Sequence, residues 1–282
     1  MGQKTVLITG SSEGGIGDAL AKEFHKRGLQ VFATARNLAK VQHLKEMGLE
    51  TMKLDVTDEA SIKQAVEEVK AKTGGTLDIL VNNSGGGYSL PLLDTDLAVA
   101  KQLFDVNVFA LVAVTQAFAP LLIASKGTIV NIGSSAGVMP VPWQGYYNAS
   151  KAAVAAISDN LRIELSPFGV KTINEISGAV KTNFFDNNLA QRLPPDSYYI
   201  AAREDIEPLM NGSSLGDNSW DADHYATEVV ANALKSNPKV HHWLGGSAWI
   251  IWFAYAFGWS TIFVGYLLPA FISLVEISRI GL

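Results

Sequence analysis

The sequence predicts an α/β fold, in which helices cover both faces of a doubly wound parallel sheet and a hydrophobic C-terminal helical tail follows. Three observations lead to this prediction. Strand-like runs alternate with helical stretches over the first 180 residues, a glycine-rich turn joins the first strand to the first helix, and residues 248–275 carry no charge. Strands that alternate with helices form βαβ units, whose strands lie parallel in one sheet.

Six runs rich in β-branched and aliphatic residues are the predicted strands: TVLIT, QVFATA, ETMKLDV, DILVNN, GTIVNIGS and VKTINEI. Helical stretches between them include GDALAKEFHKRG, DEASIKQAVEEVKAKTG and AKQLFDVNVFALVAVTQAFAPLLIAS, and DADHYATEVVANALKSN is predicted to be a closing helix. Residues 183–223 mix helix breakers with aromatics, which predicts a substrate lid region with one short helix; a disordered insertion is the alternative. The predicted domains are a catalytic domain, 1–240, and a hydrophobic membrane-associating tail, 241–282.

Composition excludes several classes of function. The 282 residues contain no cysteine, so disulfides, thiolate catalysis and cysteine–zinc sites are ruled out. The five histidines show no metal-ligand spacing, and we therefore expect no metal site. The formal net charge of -5 gives no sign of nucleic-acid binding.

The turn in ITGSSEGGIGDALAKEF is a candidate dinucleotide site, although a tight turn alone would also explain its glycines. Glycines between a strand and a helix let a pyrophosphate approach the backbone, and the helix N-terminus offers unpaired N–H groups. The predicted cofactor contacts here are Gly10, Ser12, Gly15, Ile16 and Gly17. About 20 residues further on, the ribose 2′ position is usually read. Arg36 stands there, which favours a 2′-phosphate and hence NADP(H), whereas Glu13 in the loop would repel one and a solvated arginine is the alternative.

The stretch YYNASK places Tyr147 and Lys151 four residues apart, on one face if this stretch is helical. A free phenol has a pKa of about 10 and is a poor base at neutral pH. A nearby ammonium group and an oxidised nicotinamide ring would both lower that pKa. Tyr147 is therefore predicted to be the proton donor in carbonyl reduction and the acceptor in alcohol oxidation.

Six motifs follow one another along the chain: TGSSEGGIG, LDV, NNSG, DVNVFA, NIGSSAG and the Tyr147/Lys151 pair. In this order they resemble the short-chain dehydrogenase/reductase family over about residues 4–182. This resemblance implies a Rossmann-type fold and hydride transfer between a nicotinamide and a carbonyl or alcohol carbon. The loop spelling SEGGIG and the tail are similar to the fungal acyl-dihydroxyacetone-phosphate reductase branch of that family.

The resemblance also implies roles for individual residues. Ser134 would hydrogen-bond the substrate oxygen, Asn107 would hold a water in a proton relay, and Lys151 would hold the nicotinamide ribose. Further cofactor contacts carried over are Asp55 and Val56 at the adenine, Asn82 beneath the cofactor, and Val180 and Thr182 at the carboxamide.

Three departures from the family pattern stand out. The glycine loop has one extra residue, Ser84 replaces the usual alanine of NNAG, and Ser177 stands where proline is common. We expect Ser177 to loosen the backbone near the nicotinamide.

The tail and the lid carry the predictions about substrate and location. A catalytic domain with an apolar anchor suits a lipophilic ketone or secondary alcohol, and the best guess is reduction of 1-acyl-dihydroxyacetone phosphate with NADPH. Alternatives are a tailoring enzyme of fungal terpenoid or polyketide specialised metabolism and a sterol or retinoid oxidoreductase. A remote alternative is a non-catalytic NADP-binding membrane scaffold, which would usually have lost Tyr147, Lys151 or Ser134.

Residues 248–275 would reach roughly 40 Å as one helix, beyond the ~30 Å hydrocarbon core of a bilayer. The nine aromatics spread along the whole stretch, and FGWS with Pro269 offers break points, so a hairpin or an interfacial helix is an alternative to a single span. A dimer-forming segment and buried helices are others. We expect contact with a membrane or lipid-droplet surface, location at the endoplasmic reticulum or lipid droplet with the catalytic domain facing the cytosol, and a homodimer or homotetramer.

Overall fold

The computed structural model describes residues 2–184, 191–213, 218–259 and 261–274. Its strands form one parallel seven-stranded sheet of order β3-β2-β1-β4-β5-β6-β7. The strands are β1 Thr5–Ile8, β2 Gln30–Ala35, β3 Glu50–Lys53, β4 Ile79–Asn82, β5 Thr128–Ile132, β6 Lys171–Ser177 and β7 His241–Leu244. The doubly wound parallel sheet is therefore confirmed, with all six predicted strands in place.

The seventh strand was not predicted. His241–Leu244 pairs with β6 in the register Asn174↔His241, so these residues belong to the sheet and not to the tail. The predicted domain boundary after residue 240 is therefore wrong, and the sheet continues to Leu244. The signal was weak because this strand is only four residues long and begins with two histidines.

The helices described are α1 Ile16–Lys26, α2 Gln42–Glu46, α3 Glu59–Thr73, α4 Leu97–Phe104, α5 Ala110–Ser125, α6 Gly145–Leu165, α7 Arg203–Met210, α8 Ala222–Ala233, α9 Ala248–Phe257 and α10 Ile262–Leu274. A single π-helical turn, Asp105–Phe109, joins α4 to α5. Of the predicted lid region, α7 and a 3₁₀ turn at Ile200–Ala202 are described, while residues 185–190 and 214–217 lie outside the described ranges.

Both faces of the sheet are buried, as expected for parallel strands covered by helices. Along β1, Val6 and Ile8 pack into the core beneath α1 and α8, whereas Leu7 points into the core beneath α3 and α5. Because the side chains of a strand alternate between faces, one short apolar run supplies both cores. The rigid layers that result hold the carboxyl edge of the sheet in place.

The tail is broken into two short helices, α9 of 10 residues and α10 of 13, with Gly258 ending the first. The described part of the tail is therefore not one unbroken helix, and the predicted break near FGWS is confirmed. Ser260 and residues 275–282 lie outside the described ranges. Among the described helices, the one long and apolar enough to cross a membrane is Leu97–Ser125. That helix is the α4–α5 unit, which covers the sheet and is thus accounted for by the core.

Candidate active site

The candidate site lies at the carboxyl ends of β1 and β4, where the strand order reverses direction. Chains leaving these neighbouring strands run to opposite faces of the sheet and open a crevice between them, which is where ligands bind in open α/β folds. The glycine turn follows β1, and the NNSG stretch begins at the end of β4. The two motifs therefore meet at one edge, as the sequence predicted.

Two glycines in the turn after β1 adopt the left-handed conformation, Gly10 with φ 74° and Gly14 with φ 74°. Gly15 is the N-cap of α1, and Ser12 accepts a hydrogen bond from its amide at 3.2 Å. A Cβ at Gly17 would collide with the Gly10 carbonyl oxygen, so only glycine allows α1 to pack this close to the turn. Sequence reasoning had not singled out Gly14, whose positive φ also favours glycine.

Asn83 fastens the turn to the end of β4. Its side-chain amide donates to the carbonyl oxygens of Thr9 at 2.9 Å and Gly10 at 2.8 Å. From the other side, the Glu13 amide donates to the Lys40 carbonyl oxygen at 3.0 Å. Asn83 was missed by the sequence analysis, and its place in NNSG was the only available signal.

Asp18, in the first helical turn of α1, supports the glycine turn that precedes this helix. Its buried carboxylate accepts hydrogen bonds from the Gly14 amide at 3.1 Å and from Lys22 at 2.9 Å, and the His43 ring nitrogen lies 2.7 Å away. Burial alone would raise the pKa of Asp18, but these hydrogen bonds hold it below its ordinary value. The sequence analysis did not identify this ionic support, because Asp18 and His43 are 25 residues apart.

Arg36 and Asp55 lie together at the far end of the crevice. Arg36 is exposed just after β2, and Asp55 is half-buried after β3. Burial raises the pKa of Asp55, but hydrogen bonds from Thr57 and the charge of Arg36 bring it below its ordinary value. Val56, the next residue, is 9% exposed and belongs to the core cluster beneath α3 and α5. The structure thus brings together the residues predicted for the adenosine end.

Asn82 anchors the middle of the sheet beneath the crevice. Its side-chain nitrogen donates to Thr115 at 3.0 Å and to Asn131 at 2.9 Å, and Asn131 donates to Ser158 at 2.9 Å. This series of hydrogen bonds ties β4 and β5 to α5 and α6. This contact set fits the steadying role predicted for Asn82.

Helix α6 begins at Gly145 and presents Tyr147 and Lys151 one turn apart, as the four-residue spacing predicted. The Lys151 Nζ lies 5.8 Å from the centroid of the Tyr147 ring and donates to the Ile132 carbonyl oxygen at 2.9 Å. Ser134 stands at the end of β5 and its side chain accepts from the Ala136 amide at 3.1 Å. Ser134, Tyr147 and Lys151 thus converge beside the crevice.

The electrostatics of this group differ from the sequence prediction. Burial raises the pKa of the Tyr147 phenol, and a hydrogen bond with Ser134 opposes that rise. Burial also lowers the pKa of Lys151 to about 8. In the chain by itself the pKa of the Tyr147 phenol is thus raised and not lowered, because burial is the largest cause. The lowering predicted with an oxidised nicotinamide beside the phenol stays a prediction.

Asn107 lies in the π-helical turn between α4 and α5. Its side-chain nitrogen donates to the Gly86 carbonyl oxygen and to Ser150, both at 3.0 Å, and its side-chain oxygen accepts from the Gly86 amide at 2.8 Å. These bonds join the NNSG stretch to α6. The relay water predicted for Asn107 stays a prediction, and its side chain acts here as a clamp.

The segment after β6 forms the opposite wall of the crevice. Ala179 exchanges hydrogen bonds with Gly246 and accepts one from the Trp220 amide, and Lys181 donates to the Trp220 carbonyl oxygen. Val180 forms a bridge with Trp220 and Thr182 follows half-buried, which is where the carboxamide contacts were predicted. The expectation that Ser177 loosens this backbone is wrong, since its side chain lies 2.6 Å from the Tyr225 hydroxyl.

An apolar cluster lies on the lid side of the site. Trp143, three residues before Tyr146, packs with Leu193, Ile206 and Met210 of the lid region. At the catalytic residue itself, the ring of Tyr147 lies 5.8 Å from that of Phe184. An aromatic ring therefore lies directly beside the catalytic phenol.

Known proteins resemble this chain over most of its length. A family model described as short chain dehydrogenase matches residues 4–193. The short-chain dehydrogenase ptmH of Penicillium ochrochloron is 48% identical over 235 residues, 83% of this chain and 86% of that protein. The NADPH-dependent 1-acyldihydroxyacetone phosphate reductase of Schizosaccharomyces pombe is 44% identical over 206 residues, 72% of this chain and 70% of that protein. The crystal structure of a short-chain dehydrogenase from Streptomyces avermitilis superimposes with a TM-score of 0.78 at 28% identity, covering 99% of this chain and 98% of that one.

Proposed function

The chain belongs to the short-chain dehydrogenase/reductase family, and from this premise we propose that it is an NADP(H)-dependent oxidoreductase that interconverts a ketone and a secondary alcohol on a lipophilic substrate. The observation that carries the proposal is the convergence of Ser134, Tyr147 and Lys151 beside the glycine turn. Oxidoreductase activity with a nicotinamide cofactor follows from the family. The phosphorylated cofactor and the substrate class are the proposed steps.

The residues present fit a nicotinamide dinucleotide. The glycines of the turn allow close packing, since a Cβ at Gly10, Gly14 or Gly17 would collide with neighbouring protein atoms, and α1 begins there with its N-terminal amides. Asp55 and Val56 fit the adenine, and Arg36 provides a guanidinium that can pair bidentately with a 2′-phosphate. The Schizosaccharomyces pombe relative, an NADPH-dependent reductase, supports the same choice.

The side chains then have distinct roles in the reaction. A bound nicotinamide would supply the hydride chemistry, and the residues of this chain would bind and orient the substrate and move the proton. Ser134 donates to the substrate oxygen and fixes it beside the phenol. Tyr147 gives its proton to that oxygen in reduction and removes it in oxidation. Lys151, whose buried Nζ donates to the Ile132 carbonyl oxygen, hands on the proton.

Support for a lipophilic substrate comes from the lid and the tail. The cluster around Trp143 gives the site an apolar approach. The tail begins near the crevice, because Gly246, two residues before α9, is hydrogen-bonded to Ala179 of the nicotinamide-facing wall. Within this class we propose reduction of 1-acyl-dihydroxyacetone phosphate first. A tailoring reaction on a fungal terpenoid or polyketide is the second candidate.

For the tail we propose insertion into one leaflet of a membrane or lipid-droplet surface. Helices of 10 and 13 residues reach only about 15 and 20 Å, too short for the ~30 Å hydrocarbon core. Large apolar side chains are exposed around most of α9, among them Trp249, Phe253 and Phe257, and no polar face is left to lie toward water.

We propose that the catalytic domain faces the cytosol, at the endoplasmic reticulum or a lipid droplet. Support comes from two asparagines in glycosylation sequons near the site. Asn82 donates its amide hydrogens to Thr115 and Asn131, and Asn148 donates to the Val141 carbonyl oxygen at 2.8 Å. A glycan on either nitrogen would disrupt these contacts.

We further propose a homodimer or homotetramer through the helices that carry Asn107 and Tyr147. Phe109 and Ile163, on those helices, are 62% and 73% exposed, which suits a contact with a second copy. Light scattering of the purified protein in detergent would measure the mass, and a monomer at micromolar concentration would contradict this assembly.

The experiment that tests the function is NADPH oxidation by detergent-solubilised protein. It compares 1-palmitoyl-dihydroxyacetone phosphate with a panel of terpenoid, polyketide and sterol ketones and repeats each with NADH. Turnover of the acyl phosphate with NADPH alone supports the first candidate. Preference for another ketone keeps the reaction class and selects the second candidate, and turnover of no ketone would contradict the proposal.

A further inference from the structure

The nicotinamide-facing segment, residues 178–182, leaves β6 at Ser177 and is fastened at several points along its backbone. The Gly178 amide donates to the Leu244 carbonyl oxygen at 2.7 Å, and the Ala179 amide donates to Gly246 at 3.1 Å. Just beyond it, the Asn183 amide donates to the Gly14 carbonyl oxygen at 3.2 Å, so the two walls of the crevice touch. The position of this segment therefore sets how much room the nicotinamide half of the cofactor has.

One side-chain contact joins this segment to the helix layer. The Ser177 hydroxyl and the Tyr225 hydroxyl lie 2.6 Å apart, and the two residues are 7% and 0% exposed. Tyr225 is among the largest fully buried side chains described, and it comes from the first turn of α8. A buried hydroxyl costs free energy unless it is paired. Tyr225 is paired with Ser177, whose hydroxyl makes one further and longer contact with the Glu175 carbonyl oxygen, at 3.4 Å.

The surroundings of Tyr225 are ionisable but do not charge it. Burial raises the pKa of Tyr225 far above its ordinary value, with contributions from Glu175 and Tyr147, and the Ser177 hydrogen bond opposes the rise. Glu175 is buried, and its Oε2 lies 2.8 Å from the His242 ring nitrogen, close but not aligned as a hydrogen bond. The phenol of Tyr225 is therefore neutral across the working pH range and is available as a fixed hydrogen-bonding group.

We propose that the hydrogen bond between Tyr225 and Ser177 positions residues 178–182 against the nicotinamide half of the cofactor. The inference rests on the proposed function, because it takes this segment to face the nicotinamide. Neither residue touches the reacting atoms, so Tyr225 and Ser177 are positioning residues.

The geometry explains why this one bond matters for the whole crevice. Helix α8 packs against α1 in the same core cluster, which contains Tyr225 and Val229 of α8 and Leu20 of α1. The amino end of α1 carries the glycine turn for the pyrophosphate. The hydrogen bond between Tyr225 and Ser177 thus fixes residues 178–182 relative to the glycine turn, through the packed helices α8 and α1.

The test compares two ligands that differ only at the nicotinamide. Binding of NADPH and of 2′-phospho-ADP-ribose, which lacks that ring, is measured by calorimetry on the wild-type full-length protein and on Tyr225→Phe, Ser177→Ala and the double variant. We expect each single variant to bind NADPH about three- to tenfold more weakly, with the affinity for 2′-phospho-ADP-ribose within about twofold of wild type. The double variant should lose no more than either single one, since both remove the same bond.

The control is Tyr266→Phe, which removes a phenol hydroxyl from a side chain that is 81% exposed in the tail. Hydrogen exchange of peptide 176–184 without ligand gives a second readout, and we expect faster exchange in Tyr225→Phe. Equal losses for both ligands, additive losses in the double variant, or unchanged NADPH binding would each overturn the inference. If Tyr225→Phe does not fold, Ser177→Ala carries the comparison. Failure of the wild-type protein to bind NADPH would instead contradict the proposed function.

Discussion

The ammonium group of Lys151 lies 5.8 Å from the centroid of the Tyr147 ring, while its Nζ donates to the Ile132 carbonyl oxygen. In the chain by itself, burial raises the pKa of Tyr147 and lowers that of Lys151 to about 8. The phenol is therefore protonated at neutral pH and ready to act as an acid. A protonated phenol is the form that can give a proton to the substrate oxygen in ketone reduction.

Replacing Tyr147 by phenylalanine should abolish turnover and leave NADPH binding nearly intact. The ring is kept and only the proton donor is lost, and such groups contribute roughly 10²- to 10⁴-fold to rates. The measurements are the rate of NADPH oxidation and the quenching of protein fluorescence by NADPH. Tyr146→Phe, which removes the hydroxyl of the preceding tyrosine, is the matched control and should keep most of the activity. An unchanged rate in Tyr147→Phe would disprove the mechanism.

The buried Lys151 should give the folding free energy a defined pH dependence. Its pKa falls from 10.5 in the unfolded chain to about 8 in the folded one, so between these values the unfolded chain binds more protons. The contribution of Lys151 to the free energy of unfolding therefore rises between pH 8 and pH 10.5, by at most about 3 kcal/mol. Below pH 8 the buried ammonium destabilises the folded chain by this full amount. Thermal melts of wild type and Lys151→Met at pH 7 and pH 10 measure the difference.

We expect the stability advantage of Lys151→Met to be largest at pH 7 and to shrink as the pH rises. Lys101→Met, which removes an exposed ammonium on α4, should show no such trend. A difference between Lys151→Met and wild type that is constant across this range would show that the ammonium is not desolvated. The same variant should lose catalytic activity, since it lacks the proton relay.

Much of this site could be predicted from sequence because its residues lie in local patterns. The spacing of Tyr147 and Lys151 indicates one helix face, and Gly10 to Gly17 lie within one turn. The support of the site could not be predicted in this way. Asn83 contacts Thr9 across 74 residues and Tyr225 contacts Ser177 across 48, so each pairing depends on strand order and helix packing.

The fold shows the same division. Strands with continuous β-branched runs were identified, whereas β7 was missed, since His241 and His242 give no apolar pattern. His242 is buried there beside Glu175, a partner that only the finished sheet supplies. At Ser177 the sequence predicted a looser backbone, because serine replaces a proline that is common there. The structure instead places the Ser177 hydroxyl in a buried hydrogen bond with Tyr225.

Removing the Arg36 guanidinium should weaken NADPH far more than NADH. A charge-assisted hydrogen bond contributes about 1.5–3 kcal/mol, which corresponds to roughly 10- to 100-fold in affinity for the 2′-phosphate. The measurement is the KM for each cofactor in Arg36→Ala. Lys45→Ala, an exposed cation on α2, is the control for general loss of positive charge. Equal changes for NADPH and NADH would contradict the role assigned to Arg36.

The exposed aromatics of α9 should determine binding to neutral lipid. Phe253 and Phe257 are 57% and 70% exposed, and burying each side chain in hydrocarbon contributes about 1.5–3 kcal/mol. Phe253→Gln with Phe257→Gln should therefore reduce co-sedimentation with phosphatidylcholine vesicles at least about tenfold. A matched double variant, Leu93→Gln with Phe168→Gln, removes exposed apolar side chains elsewhere and should bind as wild type. Equal losses in both double variants would show that the tail is not the lipid-binding surface.

The same vesicles can distinguish insertion into one leaflet from a bilayer span. The chain has no cysteine, so a single cysteine appended after Leu282 is a specific label site. Two helices too short to span should return the end of the chain to the side of the catalytic domain. A membrane-impermeant maleimide added outside should then label that cysteine as fast as a cysteine in the exposed position of Lys45. Protection of the appended cysteine until the vesicles are dissolved would mean that the tail crosses the bilayer, and the single-leaflet proposal would fail while the catalytic assignment stood.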